Sequence, residues 1–63
     1  MFREQDMVIL KKALPSHDLN RGAIGSIVKV HTKSAGYEVE FVAPKGKETT
    51  IVSLKSSDIR AVD

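Results

Sequence analysis

Three short runs of this 63-residue chain hold side chains able to do chemistry. Ser16-His17-Asp18 places a hydroxyl, an imidazole and a carboxylate in a row, the residue types of nucleophilic hydrolysis. That chemistry requires the base to reach the nucleophile and the acid to reach the base. Immediate neighbours in a chain seldom point at one another, so the run reads as a polar loop with a turn-forming aspartate and an exposed histidine. Glu38 and Glu40 lie on one face of a strand, about 7 Å apart at the usual strand rise. Carboxylates at such a separation serve acid–base catalysis when a cleft holds them. A chain this short offers little concavity, and the expectation is a solvated strand face with cross-strand lysine partners. In the third run, Lys29, His31 and Lys33 alternate along one face of a strand, with Val28 and Val30 on the other. With Arg21, Lys45 and Lys47 they form a candidate basic strip for phosphates or for the acidic patch of a partner.

Composition narrows the chemistry further. The chain has no cysteine, and neither His17 nor His31 has a second His or Cys at a metal-ligand spacing. No catalytic residue, metal site, cofactor or small-molecule substrate is therefore expected, and the chain is read as a non-enzyme. Ten basic residues oppose eight acidic ones, and Lys11-Lys12 is the only basic doublet. A nucleic-acid binder of this size more often shows a denser basic stripe. Arg3, Glu4 and Asp6 interrupt any signal-peptide run. The longest apolar stretch, Met7-Val8-Ile9-Leu10, is far below the roughly 20 residues of a membrane helix. A cytoplasmic protein without membrane contact is the expectation.

The elements that position these residues are short strands. Asp6–Lys11 reads as a first strand. Ala13–Asn20 carries Pro15, Ser16, Asp18 and Asn20 and reads as a long loop pinned by Leu14 and Leu19. Gly22 and Gly25 mark a tight turn, or a close backbone approach, ahead of a second strand over Ala23–Thr32. That strand is long enough to predict a bend or bulge near Gly25–Ile27. Lys33–Gly36 is a turn with Gly36 suited to a left-handed position. In Tyr37-Glu38-Val39-Glu40-Phe41 the apolar residues fall on one face and the carboxylates on the other. Ala43–Gly46 is the next turn and Thr49–Leu54 a fourth strand. Ser56–Ile59 suits a single 3₁₀ turn capped by a serine side chain, and Arg60–Val62 is the last strand. No window sustains a helical apolar period. The reading is one all-β domain over residues 1–63, an SH3-like barrel of about five antiparallel strands with a 3₁₀ turn before the last. Its expected core is Val8, Leu10, Leu19, Ile24, Ile27, Val30, Tyr37, Val39, Phe41, Ile51 or Val52, Leu54 and Ile59.

Four segments carry a family resemblance: Asp6-x-Val8-x-Leu10, then Leu19-x-x-Gly22-x-x-Gly25-x-Ile27-x-x-Val30, Tyr37-Glu38-Val39-Glu40-Phe41, and Leu54-x-x-x-Asp58-Ile59-Arg60. Together they resemble a family of small bacterial and cyanobacterial proteins that bears only a domain-of-unknown-function label. The resemblance implies an SH3-like β-barrel with no assigned catalytic residues. It also implies, by association, a paired toxin–antitoxin-like or partner system. The segment Gly22–Val30 is similar as well to the KOW-type motif of ribosomal and transcription-elongation proteins.

Two functions follow as expectations. The first is a non-enzymatic interaction module that binds a protein partner and self-associates, with Leu14 and His17 in the long loop and Ile51 and Val52 on the fourth strand as contacts. Exposed strand edges invite such pairing, and apolar residues on both faces of Thr50–Leu54 leave one face in need of cover. The alternative is a KOW-type nucleic-acid-binding module that contacts phosphates through Arg21, Lys29, His31, Lys33, Lys45 and Lys47. Against it, Tyr37 and Phe41 fall in the core and leave no platform for base stacking.

Overall fold

Alternation of apolar and polar residues over short runs produces five strands. The computed structural model describes residues 2–42 and 48–62. The strands are β1 (Met7–Leu10), β2 (Ile24–His31), β3 (Gly36–Val42), β4 (Thr49–Lys55) and β5 (Ile59–Ala61). They form one antiparallel sheet in the order β4-β3-β2-β1-β5. A 3₁₀ turn, Ser56–Asp58, precedes the last strand, and a second one, Pro15–His17, lies in the long loop. No α-helix occurs among the described residues, so none is long and apolar enough to cross a membrane.

Strand order and chain connection together force the sheet to roll up. β4 and β5 are opposite edges of the sheet, yet only Ser56–Asp58 separates them in sequence. In a flat sheet the edges would stand about 19 Å apart, four strand spacings. A single 3₁₀ turn advances about 6 Å. The sheet therefore curls until its edges approach at the Lys55–Ile59 corner, and its inner face closes on one core. That core is Val8, Leu10, Leu19, Ile27, Tyr37, Val39, Phe41, Val52, Leu54 and Ile59, with residues from every strand. Phe2 caps it, meeting the Tyr37 ring edge to face at 5.4 Å. Leu19 pins the long loop to the core through its bridge with Leu14.

Phase along β2 is reset once. Ile27 pairs with Val39 and Lys29 with Glu38, so Val28 is an extra residue bulged out of the ladder. Ile27 and Val30, three apart, consequently both turn inward, while Lys29 and His31 turn outward. The bulge lies just past the Gly25–Ile27 position read from sequence, and it places Val28 and Val30 on different faces. The N-terminal arm covers it from β1's side: Gln5 N–H donates to the Ile27 carbonyl at 2.7 Å, and Ile27 N–H to that of Asp6 at 2.9 Å.

Four further expectations are corrected, and the alternative left open between Ile51 and Val52 is settled. Ile24 is not core; with Gly25 turned inward, strict alternation puts it outside at 54% exposure. Val30 is half-buried at the core's margin. Val52, not Ile51, faces in, because Val39 sits opposite Val52. Ala35, not Gly36, takes the left-handed position, at φ 56. The turn before β5 is closed by Asp58, whose Oδ2 accepts from Lys55 N–H at 3.0 Å, and no serine side chain caps it.

Candidate interaction surface

The outer face of the sheet carries an apolar row, flanked by Ser26 and Glu40. Val8 and Leu10 point inward, so Met7 and Ile9 point outward between them. Ile9 is the cross-strand partner of Ile24. The register that pairs Gly25 with Phe41 sets Val42 beside Ile24, and Ile51 is diagonal to Val42 across β4. Met7, Ile24, Val42 and Ile51 are each more than half exposed, which is unusual for large aliphatics grouped on a soluble surface. Val62 extends the row beyond Met7, to whose carbonyl its N–H donates at 3.4 Å.

At one end this row meets a basic groove. Ile9, Leu10, Lys11, Arg21, Gly22 and Arg60 line a surface hollow of about 210 Å³. Arg60 is there because β5 pairs it with Ile9. Arg21 is there because Gly22, at φ +95, turns the chain back onto β1, its N–H donating to the Leu10 carbonyl at 2.8 Å. Beside the groove Asp58 is engaged by Lys12, 3.2 Å away. Its carboxyl is held below the ordinary aspartate range, chiefly by the Lys55 N–H and then by the Lys12 ammonium, while partial burial pulls the other way.

The residues singled out from sequence distribute as follows. Ser16 and His17 lie in the exposed 3₁₀ turn and Asp18 ends it at φ 58; no side-chain hydrogen bond joins the three among the described residues. Glu38 stands opposite Lys29 in the ladder, while its carboxylate bonds His31 at 2.6 Å. Lys29 and His31 lie in the C-terminal part of β2 and Lys33 in the turn after it, whereas Arg21 precedes its start. The five steps from Ile24 to Lys29 already span about 16 Å, so among the described residues Arg21 does not form one strip with Lys29, His31 and Lys33. Lys45 and Lys47 lie outside the described residues. Of the partner-contact candidates, Ile51 stands on the outer face, His17 is exposed, Leu14 is turned against the core, and Val52 is buried in it.

Sequence reading missed Met7, Ile9, Ile24, Val42, Lys11 and Arg60 as surface groups. A signal was present for the first two: four apolar residues in a row on a strand must leave alternate ones outside. Arg60 carried none, since its place beside Lys11 and Arg21 depends on strand pairing.

Curled sheet, outward apolar row and basic groove together describe a small all-β domain whose distinctive chemistry is on its outer surface. The chain belongs to the family described as Domain of unknown function (DUF4926), whose model matches residues 4–61. No curated protein and no solved structure matches it.

Proposed function

We propose that this chain is a non-enzymatic interaction module that binds a protein partner through the outer face of its sheet. The observation that carries the reading is the adjacency of Met7, Ile9, Ile24, Val42 and Ile51 on that face. Covering apolar surface stabilises a complex by about 25 cal/mol per Å², and a domain of this length has a thin core of its own to rely on. The sheet order, with a 3₁₀ turn ahead of the last strand, supports an SH3-like barrel. A cysteine-free composition fits a reducing, cytoplasmic setting, and the family resemblance fits a bacterial one.

The nucleic-acid alternative draws less support, because among the described residues Arg21 stands before the start of β2 and Lys29, His31 and Lys33 towards and beyond its other end. Affinity capture with the wild-type chain and with Ile24→Asp tests the proposal. A stoichiometric protein retained by the wild type and lost by an equally well folded Ile24→Asp supports it. Equal capture by both overturns it. Light scattering on the free chain separates a foreign partner from a second copy.

A further inference from the structure

We infer that the segment docking on the outer face is acidic as well as apolar: a peptide stretch of a partner protein in which an Asp or Glu neighbours an aliphatic or aromatic side chain. The inference rests on the outer-face reading and adds the chemistry of what docks there. Ile9 ties the two halves of the argument together, because it belongs both to the apolar row, beside Ile24, and to the wall of the basic groove, beside Arg60.

Three of the six residues lining that groove are cations and none is acidic. Lys12 is paired with Asp58, but no salt bridge engages Lys11, Arg21 or Arg60 among the described residues. Among the described residues the one side-chain hydrogen bond of Arg60 is a long one, 3.4 Å, to the neighbouring Ala61 carbonyl. Each guanidinium presents five N–H donors in a planar fork that matches a carboxylate. Gly22 leaves room at the same place: a Cβ there would meet nothing within 4 Å. Three like charges in one small hollow repel one another, and an incoming carboxylate relieves that repulsion while forming charge-assisted bonds.

A nucleic-acid backbone suits the surface poorly. Among the described residues the groove continues into Ile9, Ile24 and Val42, not into further cations. Tyr37 and Phe41 are buried and Phe2 packs on Tyr37, so no aromatic face is offered to a base among the described residues.

The test is selection of a phage-displayed library of random peptides against the whole immobilised chain, then fluorescence polarisation with a selected peptide. The expected peptides carry Asp or Glu next to Ile, Leu, Val or Phe. The double variant Arg21→Glu, Arg60→Glu should weaken binding at least tenfold with its thermal melt intact. The neutral pair Arg21→Gln, Arg60→Gln should do so more mildly, and Lys29→Glu, at the far end of β2, should leave affinity unchanged. Failure to enrich any peptide, enrichment of peptides without acidic residues, or binding indifferent to the Arg21 and Arg60 changes overturns the inference. If Ile24→Asp still abolishes binding in that last case, the outer-face reading survives alone. Tighter binding of a single-stranded RNA oligomer, lost in the double arginine variant, would reassign the groove to phosphates. A wild-type dimer that Ile24→Asp converts to monomer would reassign the row to a second copy of the chain. Either result overturns the inference.

Discussion

The ring of Phe41 fills the space that a side chain on Gly25 would need. The two are cross-strand partners on β2 and β3. A Cβ on Gly25 would lie 2.9 Å from two ring carbons of Phe41 and 2.7 Å from the Glu40 carbonyl oxygen. Gly22, three residues earlier, is different: it sits at φ +95 with nothing within 4 Å of its missing side chain. One glycine is there for room and the other for backbone torsion. Gly25→Ala should therefore destabilise by about 1–3 kcal/mol through overpacking. Gly22→Ala should cost about 1–2 kcal/mol through its torsion. Urea denaturation of the two variants measures both.

Ala35 pays the opposite penalty. It turns the chain between β2 and β3 at φ 56, where a Cβ crowds the following carbonyl. Glycine relieves that strain and gives back part of the gain as unfolded-chain entropy. Ala35→Gly should stabilise by about 0.5–1 kcal/mol. An unchanged or lowered melting temperature would show that the turn carries no such strain.

Asp58 makes stability depend on pH in a defined direction. Its carboxyl titrates below the ordinary range because the Lys55 N–H and then the Lys12 ammonium favour the charged form. A folded-state pKa below the unfolded one means the stabilisation is present above the unfolded value, about 3.9. It is lost as pH falls through the folded value. Asp58→Ala should cost about 1 kcal/mol at pH 7. The gap between wild type and variant should narrow below about pH 4. A gap constant down to pH 2 would contradict this account.

Ile24 and Ile27 share a strand but not a fate. Ile27 is 1% exposed at the centre of the core, whereas Ile24 stands on the outer face. Ile27→Ala should cost about 2–5 kcal/mol, a large share of the total stability of so short a domain. Ile24→Thr should change stability by no more than about 0.5 kcal/mol. Paired denaturation curves decide it; a large loss from Ile24→Thr would return that residue to the core.

Local pattern accounts for what could be read before any coordinates. Tyr37, Val39 and Phe41 alternate with Glu38 and Glu40, and a period of two survives in any sheet that buries one face, so β3 and its orientation were legible. So were the loop pinned by Leu14 and Leu19, the glycine turn at Gly22, the close approach at Gly25 and the 3₁₀ turn before the last strand. Ile24 departs from the reading because strict alternation from Ile27 through Gly25 turns it outward, whereas Val28 and Val30, read onto one face, are separated by a change of phase. An extra residue at Val28 shifts the phase of β2, and the shift exists only in the register between Ile27–Lys29 and Glu38–Val39.

Chain chemistry by itself determined that this protein would be a small all-β domain without disulfides, because strand alternation and turn residues act over a few neighbours. Tertiary structure alone decided its surface. Lys11, Arg21 and Arg60 converge from three separate segments, and Met7, Ile9, Ile24, Val42 and Ile51 align across four strands. Which side chains stand together on a sheet depends on how strands are paired and slid, and pairing joins residues far apart in the chain.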